Sequence, residues 1–169
     1  CASGGGSGEL ENNYTDINSR TSSTVIDSIL AKKEWEISAN ISISDKGAKW
    51  RNLFHYGNSN RTRVPAMWLW PNDTWRLHFR IKTTKGWNDG VDFYVPKQFQ
   101  IPGKDFNLRI QHKEYNNSSK IIVYINNILI KEKQIGLFMR VKNQKFELKK
   151  TWAWTRREDN YTISNFGMR

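Results

Sequence analysis

Apolar and polar side chains alternate strictly from residue 75 to residue 82, and no other stretch constrains the fold as much. The apolar residues take the odd positions: Trp75, Leu77, Phe79 and Ile81. Successive side chains of a β-strand point to opposite faces, so this pattern predicts a strand with one buried and one solvated face. A Pro-Asn-Asp-Thr sequence at 71–74 has the residues of a tight turn and predicts a hairpin before the strand.

Similar short patterns recur along most of the chain. Further strands are predicted at 34–44, 64–70, 91–95, 106–111, 121–125, 128–131, 146–154 and 161–168. Asn126 and Asn127 predict a two-residue hairpin turn, and 85–90 reads as a loop. The segment 25–30 predicts a short first strand or turn, beside which the last strand is expected to pair. With no clear helical periodicity, many short strands predict an all-β sandwich or barrel.

Four segments also carry a family resemblance. The segments 54–58, 65–83, 123–130 and 160–166 resemble strand and turn motifs of the concanavalin A-like lectin/glucanase superfamily, in particular its LamG-type jelly-roll branch. The resemblance covers about residues 25–169. It implies an all-β, two-sheet antiparallel jelly-roll sandwich. These motifs describe strands and turns, so they indicate the fold better than the function.

The N-terminal residues differ in composition from the rest. Residues 1–23 are rich in Gly, Ser, Asn and Thr and predict a flexible arm, followed by a LamG-like sandwich domain at 24–169. The chain's single cysteine is Cys1, and a Gly/Ser-rich tether follows it. Two interpretations stay open for this start: a lipid-anchored cysteine, as in mature bacterial lipoproteins, and a fragment boundary.

The chain is strongly basic, with a formal net charge of +11. Such a charge favours anionic partners: sulfated or acidic glycans, acidic protein neighbours in an assembly, or nucleic acid. Nucleic acid is the least favoured, because no recognised nucleic-acid motif is present. No apolar run is long enough for a transmembrane segment. Several N-x-S/T sequences fit a secreted or surface protein, and would be glycosylated only in a eukaryotic host.

The sequence does not predict an enzyme. Retaining glucanases of the resembled superfamily carry a triad of acids on one strand, E-x-D-x-E or E-x-D-x-x-E, whose two outer carboxyl groups lie about 5–5.5 Å apart. Glu34 and Glu36 come nearest to that motif, lack the third acid, and are interpreted as solvated. The sequence predicts no cofactor. The alternative to an ion-free protein is bound calcium, because many members of the superfamily bind this ion. The candidate calcium loops are Asn72-Asp73 and 88–92.

Cations and tryptophans are the candidate binding residues. Arg76, His78, Arg80 and Lys82 form what we call the cation row, on the polar face of the alternating strand. A neighbouring strand with Arg109 would widen it. His78 is interpreted as a solvent-facing histidine that could contact a ligand. The remaining candidates are Trp87, as an exposed stacking platform, and Arg156 and Arg157, which follow two further tryptophans.

Two functions are compatible with these observations. The first is a non-catalytic, lectin-like recognition module on a surface, which binds anionic glycans or an acidic partner. The alternative is a structural jelly roll in a large assembly, such as a virion shell or surface layer. Either function implies an extracellular, cell-surface or virion-associated location.

Overall fold

The computed structural model describes residues 13–152, 154–155 and 159–169. Within these residues, the strands form two antiparallel sheets. The six-stranded sheet has the spatial order β1 (Thr15–Asp16), β11 (Tyr161–Met168), β2 (Glu34–Ile43), β7 (Phe106–Glu114), β8 (Ser118–Ile125) and β9 (Ile128–Gly136). The five-stranded sheet has the order β10 (Phe146–Leu148), β3 (Arg51–Tyr56), β4 (Ala66–Leu69), β5 (Arg76–Thr83) and β6 (Gly86–Tyr94).

This architecture confirms the predicted all-β, two-sheet antiparallel sandwich, and a single apolar core joins the two sheets. Leu77, Phe79 and Ile81 of β5 are fully buried in that core, as their alternation predicts. Burial of each such side chain contributes about 1.5–3 kcal/mol. The residues between them therefore lie on the outer face of the five-stranded sheet.

The segment 25–30 is helical, so the prediction of a strand or turn there is wrong. It belongs to the α-helix α1 (Ser23–Leu30), which begins after Ser22, whose side chain accepts a hydrogen bond from the backbone N–H of Val25. The buried side chains follow helical spacing: Ile26, Ile29 and Leu30. A helix of about two turns is too short for its period to be distinguished from that of a strand. In the described part of the chain, no helix is long and apolar enough to cross a membrane.

The last strand also pairs differently from the prediction. β11 lies between β1 and β2 and does not contact a strand at 25–30. Ile17, just after β1, is 3% exposed, so the chain is anchored to the core before α1 begins. The folded domain therefore starts earlier than residue 24, and the described part of the predicted arm packs on the sandwich. Cys1 lies outside the described residues.

Two further boundaries differ, while one turn is confirmed. Asn126 and Asn127 have φ of 49° and 65° and join β8 to β9 as the predicted two-residue hairpin. The predicted loop at 85–90 is instead the first half of β6. β10 ends at Leu148, so the segment after it is free to fold across the outer face of the sheet.

Gly90→Ala is expected to destabilise the fold more than Gly86→Ala, because the β-carbon at position 90 has no room. Both glycines have φ close to +148°, so the backbone strain of about 1–3 kcal/mol is shared. A Cβ at Gly90 would lie 2.1 Å from the carbonyl oxygen of Phe79, whereas one at Gly86 meets nothing within 4 Å. We expect an additional loss of roughly 1–3 kcal/mol for Gly90→Ala in urea denaturation. Equal losses for the two variants would contradict the close approach of β5 and β6.

Candidate functional site

Six of the eight tryptophans of the chain lie together on the outer face of the five-stranded sheet. We call this group the tryptophan face: Trp50, Trp68, Trp70, Trp87, Trp152 and Trp154. Ring centroids lie 4.5 Å apart for Trp50 and Trp70 and 5.4 Å apart for the stacked pair Trp152 and Trp154. The other two, Trp35 and Trp75, pack with the core, as predicted.

Strand alternation and a returning segment assemble this face. Met67 and Leu69 of β4 point into the core, so Trp68 between them points outward, opposite His78 of β5. The segment after β10 then folds back, and Trp152 lies with its ring centroid 5.8 Å from that of Trp68. As a result, Trp68 is 1% exposed, although it lies on the outer face of the sheet and not in the core that the two sheets enclose.

A cavity of about 290 Å³ opens in the tryptophan face. Its walls are Trp50, Asn60, Arg63, Trp68, His78, Trp87, Asn88 and Trp154. Trp87 and Trp154 are each 36% exposed and present their rings to solvent. Side-chain amides, a guanidinium and an imidazole therefore surround exposed aromatic rings. Trp87, expected in a loop, is instead on β6, and its predicted exposure is observed.

Arg63 lies inside this wall, 6% exposed. Its guanidinium carbon lies 4.2 Å from the ring centroid of Trp68 and 4.8 Å from that of Trp87. The group donates hydrogen bonds to the backbone and side-chain oxygens of Asn60 and to Oδ1 of Asn88. The cation and the two amides thus hold each other in place beside the exposed ring of Trp87.

His78 is buried, 7% exposed, so the interpretation of a solvent-facing histidine is wrong. Its Nδ1 lies 2.6 Å from Oδ1 of Asp92 on β6. Burial, reinforced by the charge of Arg80, lowers the pKa of His78 to about 4, although Asp92 acts in the opposite direction. The imidazole is therefore neutral at pH 7, and with Nδ1–H donated to Asp92, Nε2 remains as an acceptor at the cavity wall.

The cation row is on the outer face, as alternation predicts, but it is not simply solvated. Asp92 lies 3.2 Å from Arg80 and 3.9 Å from Arg76. Burial tends to raise the pKa of Asp92, but the charge of Arg80 and the hydrogen bond from His78 outweigh it and hold the pKa below its usual range. One carboxylate from the neighbouring strand thus offsets much of the row's positive charge. Lys82 lies beyond this cluster.

Arg109 does not widen the row, because β7 belongs to the six-stranded sheet. There it lies 2.5 Å from Glu36, whose other oxygen is 2.7 Å from Arg169. Glu36 is 5% exposed, so the interpretation of a solvated carboxylate is wrong. Burial alone would raise the pKa of Glu36, but hydrogen bonds from Arg169 and Arg109 lower it. Arg156 and Arg157 lie outside the described residues.

Sequence reasoning did not select Arg63, Asn60, Asn88 or Trp50 as site residues. Asn60 was predicted in a turn and Asn88 in a loop that was considered only for calcium, and Arg63 stands alone between that turn and β4. The available signal was the Asn-x-x-Arg spacing from 60 to 63. It became informative only when the structure placed the rings of both Trp68 and Trp87 next to the guanidinium.

The described part of the site contains neither a metal-binding nor a nucleophilic catalytic grouping. Across the residues that the structure describes, no three His, Cys, Asp or Glu side chains meet as metal ligands would. In the candidate calcium loop, Asp89 already accepts hydrogen bonds from Thr83, Gly136 and Gly90. The described cavity wall includes neither a carboxylate nor a Ser, Thr or Cys nucleophile beside His78. His78 and Asp92 resemble a base and its orienting partner, but the third group of a nucleophilic site is missing from that wall.

A larger cavity of about 480 Å³ lies beside β2 and β7 of the other sheet. Its wall includes Glu34, Glu36, Gln111 and Arg169. Glu36 and Arg169 pair with each other there, and the ring of Trp35 is 2% exposed. This cavity offers no exposed ring among its described residues, so the tryptophan face is the better candidate site.

A scan against protein-family models found no match, and a search of curated proteins found none either. Among solved structures, the chain is similar to the binding domain of botulinum neurotoxin DC in complex with SialylT, with 13% identity, a TM-score of 0.58, and coverage of 80% of this chain and 32% of that one. It is also similar to a structure of botulinum neurotoxin type C, a toxin whose cell entry is described as dependent upon interaction with two ganglioside molecules, with 16% identity, a TM-score of 0.59, and coverage of 86% of this chain and 34% of that one.

A sialidase of Trypanosoma rangeli is a further match, with 11% identity, a TM-score of 0.50, and coverage of 82% of this chain and 21% of that one. The chain thus spans about a third of the length of the neurotoxin binding domains that it matches. At these identities the likeness shows the fold alone, a two-sheet β-sandwich. The specific LamG-type assignment rests on the sequence motifs and stays a prediction.

Proposed function

We propose that this protein is a non-catalytic, lectin-like recognition module that binds a glycan in the cavity of the tryptophan face. The observation that carries the proposal is the arrangement around Trp87. Its exposed ring lies at the cavity wall beside the amide side chains of Asn60 and Asn88 and the imidazole of His78. A sugar ring presents apolar C–H groups on its faces and hydroxyls at its edge, and this wall has a partner for each.

The dimensions of the cavity suit a short glycan segment. Small-molecule sites span roughly 300–1,000 Å³, and this cavity of about 290 Å³ is at the lower end. It would hold one or two sugar rings. The rings of Trp87 and Trp154 would stack on the sugar, while Asn60, Asn88 and Nε2 of His78 would hydrogen-bond to its hydroxyls.

The solved structures support the recognition part of the proposal. The neurotoxin binding domains are described with SialylT and with ganglioside molecules, so this fold occurs in glycan-binding proteins. The likeness covers about a third of each domain and therefore does not carry their ligands over to this chain. A module of this kind would act outside the cell or on a surface, including that of a virion.

The absence of catalysis is part of the proposal. Glycoside hydrolysis by the usual routes needs two facing carboxyl groups, one with a raised pKa. Asp92, the carboxylate next to the cavity, has a lowered pKa because of Arg80 and His78. It cannot serve as a general acid at neutral pH. Glu36 is held ionised in the other sheet by two arginines.

Trp87→Ala is expected to weaken glycan binding at least about tenfold, because it removes the exposed ring at which the sugar would stack. The measurement is binding of the purified protein to a glycan array, followed by titration calorimetry with the strongest ligand. The matched control is Tyr115→Ala, which removes an exposed aromatic side chain between β7 and β8.

Three results would contradict the proposal. They are the absence of binding to any glycan, equal affinities of the Trp87 and Tyr115 variants, and release of reducing ends from a bound polymer. If no glycan binds and the protein instead assembles into particles or sheets, the structural jelly roll becomes the better account.

A further inference from the structure

Arg63 is a buried cation without a carboxylate partner among the described residues. Its three hydrogen bonds go to neutral oxygens of Asn60 and Asn88. Burial, reinforced by the positive charge of Arg80, lowers the pKa of Arg63 to about 10. Arginine at this pKa is still charged at pH 7. The positive charge is therefore held beneath the tryptophan face without compensation from the described residues.

Such an arrangement is unfavourable for folding alone. Buried charges in proteins are usually paired, and an unpaired one destabilises the folded state by several kcal/mol. The rings of Trp68 and Trp87, whose centroids lie 4.2 Å and 4.8 Å from the guanidinium carbon, stabilise the cation in part. The two rings also hold the guanidinium in a fixed orientation at the cavity wall. A fixed orientation favours selective binding of a ligand, whereas folding stability does not require it.

The guanidinium also retains hydrogen-bonding capacity. An arginine side chain has five N–H donors, and the structure engages three of them with Asn60 and Asn88. Two N–H groups therefore remain at a charged group that lines the cavity. Arginine binds carboxylates and tetrahedral oxyanions, the class to which sulfate esters belong, through charge-assisted hydrogen bonds that are stronger than neutral ones.

We infer that Arg63 recognises an acidic group on the bound sugar, so that the ligand is an acidic glycan whose oxyanion, a carboxylate or a sulfate, meets the guanidinium while its ring lies on Trp87. This inference rests on the proposed function and specifies its ligand. The cation row is less suited to that role, because Arg76, His78 and Arg80 already share Asp92. Arg61, whose guanidinium carbon lies 5.5 Å from the ring centroid of Trp87, adds positive potential at the rim.

The test compares acidic glycans with neutral partners on the wild-type protein. The pairs are an oligogalacturonate and its methyl ester, sialyllactose and lactose, and 6-sulfogalactose and galactose. The first two pairs test a carboxylate and the third a sulfate. We expect the acidic member of at least one pair to bind about tenfold or more tightly than its neutral partner. The preference should persist at 0.5 M NaCl, because a buried pair is screened less than surface charge.

The variants test whether Arg63 is responsible. Arg63→Met keeps a long apolar side chain in contact distance of the rings of Trp68 and Trp87 and is expected to abolish the preference, while Arg63→Lys should retain part of it. Lys131→Met removes one exposed charge on β9, in the other sheet, and should leave the preference unchanged. Thermal melting of each variant shows whether the fold is retained.

The outcomes separate this inference from the proposed function. Equal binding of the acidic and neutral members of a bound pair by the wild type overturns the inference and leaves glycan binding intact. A preference that the Arg63→Met variant keeps, with its fold retained, also overturns it. Binding of no member of any pair or of the wider array overturns the proposed function together with the inference.

Discussion

Acidification from pH 6.5 to pH 4 is expected to remove most of the stability of this protein. Three histidines are buried in the fold: His55, His78 and His112. Burial, aided by neighbouring cations, lowers the pKa of each to about 4. A depression of this size corresponds to about 3 kcal/mol of stability per histidine. Three such contributions are comparable to the roughly 5–15 kcal/mol that stabilise a whole domain.

The direction follows from the protons that each state binds. Below the ordinary pKa of 6.5 the unfolded chain takes up a proton at each histidine, while the folded protein does not until pH 4. The stability contribution is therefore complete above pH 6.5 and is lost progressively as the pH falls towards 4. The lowered pKa values of Glu36, Asp89 and Asp92 extend the loss in the same direction at still lower pH.

Urea denaturation at several pH values between 4 and 7 measures this effect. His55→Phe is the informative variant, because the imidazole is 0% exposed and packs against the aromatic rings of both Trp68 and Trp152. Phenylalanine keeps a ring at this position and cannot titrate. Between pH 6.5 and pH 4 the variant should therefore lose less stability than the wild type, by about the contribution of one histidine. A free energy of unfolding that is constant from pH 6.5 to pH 4 would contradict the burial of these groups.

Asp92→Ala is expected to destabilise the protein by about 3–5 kcal/mol, because it removes the carboxylate of β6 that compensates the positive charges of Arg80 and Arg76 on β5. Asp92 accepts hydrogen bonds from Trp70, His78 and Arg80. The side chains of His78 and Arg80 are only 9% and 13% exposed. Asp92 is the one carboxylate close to Arg80 among the described residues. Without it, Arg80 is left as an unpaired buried charge.

Chemical denaturation at pH 7 checks this prediction, with two comparison variants. Asp105→Ala changes the net charge by the same amount at an exposed position and should shift stability by no more than about 0.5 kcal/mol. Asp92→Asn keeps a polar side chain of the same shape but not the charge. Its free energy of unfolding should lie between those of Asp92→Ala and Asp105→Ala. If Asp92→Ala and Asp105→Ala have similar stabilities, the compensation described for the cation row is wrong.

The fold was predictable to the extent that single strands and turns carry their own pattern. The alternation of β5 and the Asn126-Asn127 turn depend on local backbone geometry, and both are confirmed. α1 was missed because eight residues provide too few helical repeats. The pairing of β11 with β1 was missed because two residues of β-structure leave no pattern in a sequence.

The candidate site was predictable only in part, since it depends on which residues meet across strands. Trp87 could be selected because it stands next to glycine, where little core surrounds it. The burial of His78 results from contacts with Asp92, which is 14 positions away in the sequence, and with Trp50. The role proposed for Arg63 requires both Trp68 and Trp87 beside it. Alternation assigns a face to each side chain, but it cannot show what covers that face.

A crystal structure of the protein with the tightest-binding glycan of the array tests the central claim most directly. The account predicts a sugar ring against the exposed ring of Trp87 or Trp154, with hydroxyls bonded to Asn60 or Asn88. For an acidic ligand it also predicts an oxyanion about 2.7–2.9 Å from a guanidinium nitrogen of Arg63. A glycan bound along the outer ends of Arg76 and Lys82, or in the cavity beside Trp35, with the tryptophan face empty, would contradict it.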